Sequence, residues 1–310
     1  MKPAADTSAV PDDFSVATAT TPRPRASSRA NDFYELTKPR LNFLVLITTL
    51  VGYYMAVKSP EDWHRVFYTL LGTALTAAGA SVLNQALEWK LDRLMPRTRF
   101  RPLPDGRISV TEAVVYGVVM GVVGVGFLAY FVNPLTAILG AFTLLSYLFV
   151  YTPMKRLTSL NTVIGAIPGA IPPVMGWTAV HGSVGPEAAV LFCILFCWQM
   201  PHFLAIAILY RRDYESGGFK MLPVVDRDLF ITGRQIVMYN AALIPVSLMP
   251  TLFHMTGAVY FLIAFVLGLG YLTFGILCAA SRERIDARKL FFASIIYLPL
   301  LLAVMTLNKL

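Results

Sequence analysis

Nine apolar runs, each long enough to cross a bilayer as a helix, constrain this chain more than anything else in it. They lie near 41–57, 66–87, 110–132, 134–151, 160–179, 187–210, 235–254, 257–280 and 289–307. A helix needs about 20 largely apolar residues to cross roughly 30 Å of hydrocarbon. Within lipid every backbone N–H and C=O must be satisfied by the chain itself, which a run of this kind achieves by closing its own helical ladder. The expected fold class is therefore all-α and integral to the membrane. The 56% hydrophobic and 14% charged residues and the mean hydropathy of +0.62 agree with a polytopic chain and not with a water-soluble core. The third and fourth runs are joined by little more than Asn133-Pro134, and nine crossings put the two termini on opposite sides.

The connections between the runs give the orientation. Of the 26 Lys and Arg residues, all but Lys58, Arg65 and Lys309 fall on one side. Positive residues in short loops mark the cytoplasmic face, so that side and the amino terminus are expected inside. The net charge of +8 is thus the signature of topology, and nucleic acid is not expected as a partner. Residues 1–30, rich in Ala, Thr, Ser and Pro, read as a disordered cytoplasmic tail with no secretory h-region, and 31–310 as one membrane domain. Arginines and small residues in the tail faintly suggest a transit peptide, but Asp6, Asp12 and Asp13 oppose that reading. Cys193, Cys197 and Cys278 all lie in apolar runs and read as small buried side chains.

With the sides assigned, the polar clusters gather on the cytoplasmic face. The first is NQALEWKLDRLMPRTRFRPLP, 84–104. Asn84, Glu88 and Asp92 recur every four residues, about 40° apart around a helix, so their oxygens share one face. Such a row suits a hard cation like Mg²⁺. Lys90, Arg93, Arg97, Arg99 and Arg101 follow it and suit phosphate oxygens. The plain alternative is a charged helix end at the lipid surface.

The second cluster ends the sixth run, WQMPHFLAIAILYRRDYESGGFKMLPV, 198–224. His202 and Asp213 are eleven residues apart, about 20° out of phase on a continuous helix, and are expected to face one cavity. Pro201 is expected to disturb the helical ladder, and Gly217-Gly218 to let the loop fold back. Trp198 and Gln199 would form a pocket wall. His202 has three readings: an iron ligand, a proton carrier, or a histidine bonded to a neighbouring carbonyl. The third cluster is YTPMKRLTSLN, 151–161, where Lys155 and Arg156 suit a phosphate and Tyr147 and Tyr151 lie one turn apart; membrane-interface anchoring is the alternative. The fifth run carries Gly165, Pro168, Gly169, Pro172, Pro173 and Gly176, so a broken helix is expected there. Gly165 and Gly169 either line a cavity or allow close helix packing.

These motifs together resemble a family. Asn84, Glu88, Asp92, Met95, Arg97, Thr98, Arg101, Pro102, Leu103 and Pro104 are similar to the signature of the haem-farnesylating branch of the UbiA-type intramembrane prenyltransferases. The likeness continues through Tyr151-Thr152, Lys155-Arg156, Thr158, Asn161, Trp198-Gln199, Pro201-His202-Phe203, Asp213-Tyr214, Gly217 and Met221-Leu222-Pro223, and covers roughly 31–307. It implies nine transmembrane helices around a central cavity open to the cytoplasmic side. The wider family reads aspartates in the first motif and D-x-x-x-D in the second; here Glu88 takes one acidic place and Gly217 follows Asp213. Glu215 points elsewhere on a regular helix.

The resemblance implies transfer of farnesyl from farnesyl diphosphate to a vinyl group of haem b, with water added, in haem O and haem A biosynthesis. Mg²⁺ would be held by Asn84, Glu88, Asp92 and Asp213. The substrates would be bound by Arg97, Arg101, Lys155, Arg156, Tyr151, Asn161, Gln199 and His202. Haem would be substrate and not prosthetic group, and a haem A-forming enzyme is a candidate partner. The expected location is the bacterial inner membrane, the mitochondrial one being the alternative. The rival enzyme reading is a phenolic quinone-precursor acceptor. A transporter would place its polar groups near the midplane, whereas here they crowd one face.

Overall fold

The computed structural model describes residues 28–58 and 63–310; the expected tail therefore lies, up to residue 27, outside the described residues. Every regular element described is helical. A short α1 (Arg29–Leu36) precedes α2 (Pro39–Ala56), α3 (Trp63–Asp92) and α4 (Val110–Phe131). Next come α5 (Pro134–Leu145), a π-helical segment (Ser146–Tyr151) and α6 (Thr152–Leu157), which run on as one rod. Two half-helices, α7 (Asn161–Ala170) and α8 (Pro172–His181), lead to α9 (Pro186–Leu209), α10 (Arg211–Ser216) and α11 (Leu222–Val225). The chain closes with α12 (Phe230–Leu252), α13 (Ala258–Ser281) and α14 (Arg284–Leu307).

Among the described residues, 8 helices are long and apolar enough to cross a membrane. The first expected span, α2, has 18 residues and is not among those 8, because its first turn holds Pro39, Arg40 and Asn42. At 1.5 Å per residue it still reaches about 27 Å. The expected break in the fifth run is present: α7 stops at Ala170 and α8 restarts at Pro172. Pro172 and Pro173 lack the N–H groups that would carry the ladder across. Pro201, in contrast, lies inside α9 without ending it.

Local signals at the helix starts are those that the chemistry prescribes. Ser109 and Glu112 form a reciprocal capping box on α4. Asn133 accepts from Thr136 N at 2.8 Å at the start of α5, with Pro134 in the first turn. Gly182, at φ 65°, closes α8 in the left-handed conformation that a Cβ disfavours.

Small residues set the helix spacing. A Cβ at Gly52 on α2 would fall on the Pro173 carbonyl of α8, and one at Gly176 on the Thr49 carbonyl. A Cβ at Gly79 on α3 would lie 2.6 Å from Gly121 N on α4. Without a hydrophobic force between helices in lipid, backbone approach of this kind holds the bundle. The outer surface exposes Val115, Val119, Val122, Leu262 and Val266, an apolar coat fit for acyl chains and not for water.

Two outcomes follow. Gly52→Ala lowers thermal stability by about 1–3 kcal/mol or more, because backbone and not a flexible side chain opposes the new atom. Gly270→Ala, where nothing lies within 4 Å, leaves stability unchanged or raises it by up to about 1 kcal/mol. Thermal denaturation in one detergent compares them. In addition, Lys58 and Ser183 lie at one end of the bundle and Thr158 at the other. Lys58→Cys and Ser183→Cys should react with an impermeant thiol reagent from one side, and Thr158→Cys only from the opposite side. Labelling of all three from the same side would refute this topology.

Candidate active site

α3 has 30 residues, about 45 Å of helix. That exceeds the roughly 30 Å of hydrocarbon, and its apolar sequence gives way to Glu88, Lys90 and Asp92 in the last turns. Protein and not lipid covers the oxygen-bearing side chains: Asn84, Glu88 and Asp92 are all buried. The four-residue spacing does place them in a row. Asn84 Nδ2 donates to Glu88 Oε2 at 3.0 Å and to Thr152 Oγ1 at 3.0 Å.

Each acid in this row faces a base from elsewhere in the chain. Lys155 Nζ donates to both Glu88 oxygens, at 2.9 and 3.0 Å. Arg101 donates to Asp92 Oδ2 at 2.9 Å. Lys38 Nζ lies 3.5 Å from Asn84 Oδ1, and the Tyr147 hydroxyl 3.4 Å from the same oxygen. Burial, and then the nearby Arg101 and Lys155 cations, push the Lys38 ammonium down to about 7 against the pull of Glu88 and Asp92. The result is a buried patch of alternating charge whose oxygens already hold cations.

The π-helical segment aims one wall of the patch. Its wider turn lets Thr152 Oγ1 donate to Tyr147 O at 2.8 Å while the same hydroxyl accepts from Asn84. π-turns within α-helices often mark functional positions. Tyr147 and Tyr151 pack with centroids 5.4 Å apart and their planes tilted by 34°, and Lys155 Nζ sits 4.7 Å from the Tyr151 ring. Gly165 makes room for that ring and Gly169 for the Gln199 side chain, since a Cβ at either would strike it. The Gly165 and Gly169 spacing therefore serves packing.

The basic loop after α3 is tied down at several points. Thr98 Oγ1 donates to Asp92 O at 2.8 Å, and Arg93 Nε to Pro104 O at 3.0 Å. Arg107 joins α1 to the loop: it pairs with Asp32, donates to Asp105 at 3.2 Å and to Phe100 O at 2.8 Å. Arg97 and Arg156 are exposed at the rim, with Arg97 stacked 4.9 Å over the Tyr210 ring.

The second motif reaches the first through its loop. Met95 packs with Ala207, Phe219 and Met221, and Lys220 N donates to Lys155 O at 2.7 Å. Asn161, buried, donates to Thr158 O at 2.6 Å and Lys220 O at 2.9 Å, which pins this loop to the start of α7. Gly218, at φ 69°, makes the expected tight reversal. Asp213 is half-buried on α10. Gln199 is buried and donates to Leu195 O at 3.1 Å.

His202 and Asp213 are not on one helical face. α9 ends at Leu209, and Tyr210, at φ −111° and ψ 28°, separates it from α10, so the phase relation of a continuous helix does not carry through. His202 turns toward α14 instead. Its Nδ1 lies 2.7 Å from Ser294 Oγ, and its ring stacks on Trp198 and Phe291. Among the described residues no three His, Cys, Asp or Glu side chains converge as a metal cluster. The hard oxygens of Asn84, Glu88 and Asp92 nonetheless fit a cation chemically, because cationic groups already occupy them.

Lys38, Thr152 and Arg107 belong to this region but were not among the expected site residues, although Thr152 is part of the Tyr151-Thr152 motif. Lys38 reads in the sequence as one of several charges before the first run, and Thr152 as part of a turn.

The chain's similarity to known proteins covers these same residues. A model of the UbiA prenyltransferase family matches residues 45–296. A protoheme IX farnesyltransferase from Solibacter usitatus is 46% identical over 287 residues, 90% of this chain and 98% of that protein. One from Koribacter versatilis is 44% identical over 298 residues, 93% and 96% of the two chains. Among solved structures, one described under digeranylgeranylglyceryl phosphate synthase superposes with a TM-score of 0.75 at 16% identity, over 90% of this chain and 98% of that one. A UbiA homolog from Archaeoglobus fulgidus bound to GPP and Mg²⁺ superposes with a TM-score of 0.63 at 17% identity, over 89% and 99%. The two structures share the fold; the family match and the near-complete coverage of the relatives go further, and the chain belongs to the UbiA prenyltransferase family.

Proposed function

We propose that the chain transfers the farnesyl group of farnesyl diphosphate to a vinyl group of haem b, with addition of water, to give haem O. Two observations support the acceptor and the donor. The relatives named protoheme IX farnesyltransferase match along nearly their whole length, and the buried row of Asn84, Glu88 and Asp92 is capped by three cationic side chains. The cap is the observation that carries the donor assignment: a diphosphate needs positive charge in a water-poor pocket.

In this reading Mg²⁺ would be held by Asn84, Glu88 and Asp92, with Asp213, which does not converge with these acids among the described residues, reaching it from α10, and it would neutralise the departing diphosphate. Lys155 and Arg101 exchange part of their hold on the acids, and Lys38 its contact with Asn84, for the phosphate oxygens, and Arg97 and Arg156 guide the anion at the rim. As the C1–O bond of farnesyl diphosphate breaks, positive charge grows on C1. The faces of Tyr147 and Tyr151 stabilise it by their π-electrons and, with the surrounding apolar walls, exclude water. The vinyl π-pair of haem forms the new bond to C1. The carbon left positive beside the porphyrin takes a water oxygen, a proton is released, and diphosphate leaves. Gln199 and Asn161 hold the pocket wall and the loop.

His202 addresses the haem. Ser294 Oγ donates to Phe291 O at 2.5 Å, so it accepts from His202 Nδ1–H, and the Nε2 lone pair is left for an iron. The cavity opens to the cytoplasmic side of a bacterial inner membrane, α2 completes nine crossings, and the amino terminus is inside. The hydroxyethylfarnesyl haem then passes to a haem A-forming enzyme.

Purified protein given farnesyl diphosphate, Mg²⁺ and haem b should yield a haem whose mass has grown by one farnesyl group and one hydroxyl. Prenylation of 4-hydroxybenzoate with haem left unchanged would overturn the proposal. Glu88→Gln keeps the shape of the row and removes a charge, and should lower turnover by at least about a hundredfold, the scale of losing a principal electrostatic group; thermal denaturation checks folding. His202→Ala should release haem and alter its absorption spectrum while farnesyl diphosphate binding persists. An unchanged spectrum with a stability loss of about 1–3 kcal/mol would instead make His202 a structural partner of Ser294.

A further inference from the structure

Of the five buried side-chain polar atoms that lack a hydrogen-bond partner among the described residues, four belong to one place: both amide atoms of Asn240 and the hydroxyls of Tyr271 and Tyr297. These three residues are at most 2% exposed and come from three helices, α12, α13 and α14. None takes part in the chemistry described above. Polar atoms inside a membrane bundle are costly to leave bare, and leucine or phenylalanine would fill the same space without that cost. The four atoms therefore need a partner.

The three residues are neighbours. The rings of Tyr271 and Tyr297 stack with centroids 5.1 Å apart. One turn along α13 from Tyr271 stands Gly275, where a Cβ would strike Asn240 Nδ2, so the glycine makes room for the amide. The Tyr271 hydroxyl faces the Ser294 side chain and the Tyr297 hydroxyl faces Ser247, yet neither tyrosine closes a direct hydrogen bond. Tyr260 is the contrast in the same core. It is as deeply buried, but its hydroxyl donates to Ser247 O at 2.8 Å.

The two serines set the direction of bonding. Ser294 Oγ donates to Phe291 O at 2.5 Å and Ser247 Oγ to Ile244 O at 2.9 Å. Each has spent its one proton on its own helix and offers only lone pairs to the interior. One lone pair of Ser294 meets His202 Nδ1 at 2.7 Å. The Ser294 carbonyl accepts from Trp198 Nε1 at 2.9 Å, and His202 stacks on that same indole. The other lone pair of Ser294 is left for the tyrosine side. A bridging species must donate toward the serines and also meet the Asn240 amide, which has both donors and an acceptor. An apolar ligand lacks such groups, and the described residues gather no metal cluster. Water has them, is small enough for closely packed helices, and needs two to four polar partners when buried.

We propose that ordered water lies between Asn240, Tyr271 and Tyr297, and that this hydrated seam, through Ser294, holds His202 as the Nδ1–H tautomer with Nε2 turned to the haem. Asn240 and Tyr271 are positioning residues, since they act through Ser294 and His202. The tautomer follows from the direction of the chain: the tyrosine side donates to one lone pair of the serine, and the imidazole N–H donates to the other. The proposal rests on the reading of His202 as the residue that addresses haem.

Radiolytic footprinting of the full chain in phosphatidylcholine nanodiscs, without substrate, reads the water directly, because hydroxyl radicals form on bound water. Tyr271 and Tyr297 should be oxidised well ahead of Tyr260, although all three are buried; equal rates would remove the water. Tyr271→Phe keeps the ring and deletes only the hydroxyl. Its melting temperature should fall if that hydroxyl is bonded to water, and a melting temperature that holds or rises would mean that it was bare. In haem-loaded protein the same variant should shift the haem absorbance and raise KM for haem by about tenfold, the low end for a partner of an iron-binding histidine. KM for farnesyl diphosphate should stay as it is, and Asn240→Leu should act in the same direction. An unchanged spectrum and KM for haem would cut the seam from His202 and overturn its positioning role. Footprinting and melting use no substrate, so a wild type that shows the water but does not farnesylate haem removes the proposed function and leaves the water site standing.

Discussion

Two buried ion pairs, Glu88 with Lys155 and Asp92 with Arg101, hold the working end of this bundle together. Charges taken out of water are costly even when paired, and removal of one partner leaves the other uncompensated at a cost of about 3–5 kcal/mol. Apolar side chains of similar volume would stabilise the same space with less difficulty. A row of acids under a cap of bases is therefore poor economy for a scaffold and suitable for binding a polyanion and its counter-ion. Lys38 makes the point most directly. Its side chain is half-buried beside two other cations, and desolvation pushes its ammonium down to about 7, an arrangement eased when an anion enters.

The rest of the structure serves to keep these pairs aligned. The last turns of α3 carry the acids, and the π-turn brings Thr152 and Lys155 against Asn84 and Glu88. Asn161 and Lys220 lock the second loop onto Lys155 through backbone bonds. Arg107 fastens α1 across the first loop, so that Arg101 is presented to Asp92 from a braced turn. At the far end, glycines let α2 and α8 approach to backbone contact, which fixes the position of Lys38 at the near end of α2.

What was legible in the sequence was what depends on one helix or one interface. The Asn84, Glu88 and Asp92 row follows from a period of 3.6 within a single element, and the spans follow from apolar length. The break in the fifth run follows from proline chemistry. Lys38 and Thr152 were not legible as site residues, because their partners lie 46 and 68 residues away and no local pattern encodes that pairing. The relation of His202 to Asp213 failed for a related reason. It assumed one helix where the chain has two, and the turn at Tyr210 leaves no stronger mark in the sequence than an aromatic before two arginines. Pro201 misleads in the opposite direction, since neighbouring helices carry α9 straight through it.

Packing also accounts for the missing carboxylate of the second motif. Four residues after Asp213 stands Gly217, and a Cβ there would lie 2.9 Å from the Phe219 ring and 3.1 Å from Met95 Sδ. Met95 and Phe219 belong to the small core that joins the two loops, so an aspartate at 217 would have to displace the contact that brings the motifs together. Glu215 is exposed and does not replace it. With one acid fewer on this side, the positive charge of the site comes to a larger degree from side chains: Lys155 lies 5.8 Å from the Phe219 ring, between the two motifs. An ammonium at that position is fixed by its bond to Glu88 and needs no second acidic cradle, so the loss of the carboxylate and the presence of the buried lysine belong to one arrangement.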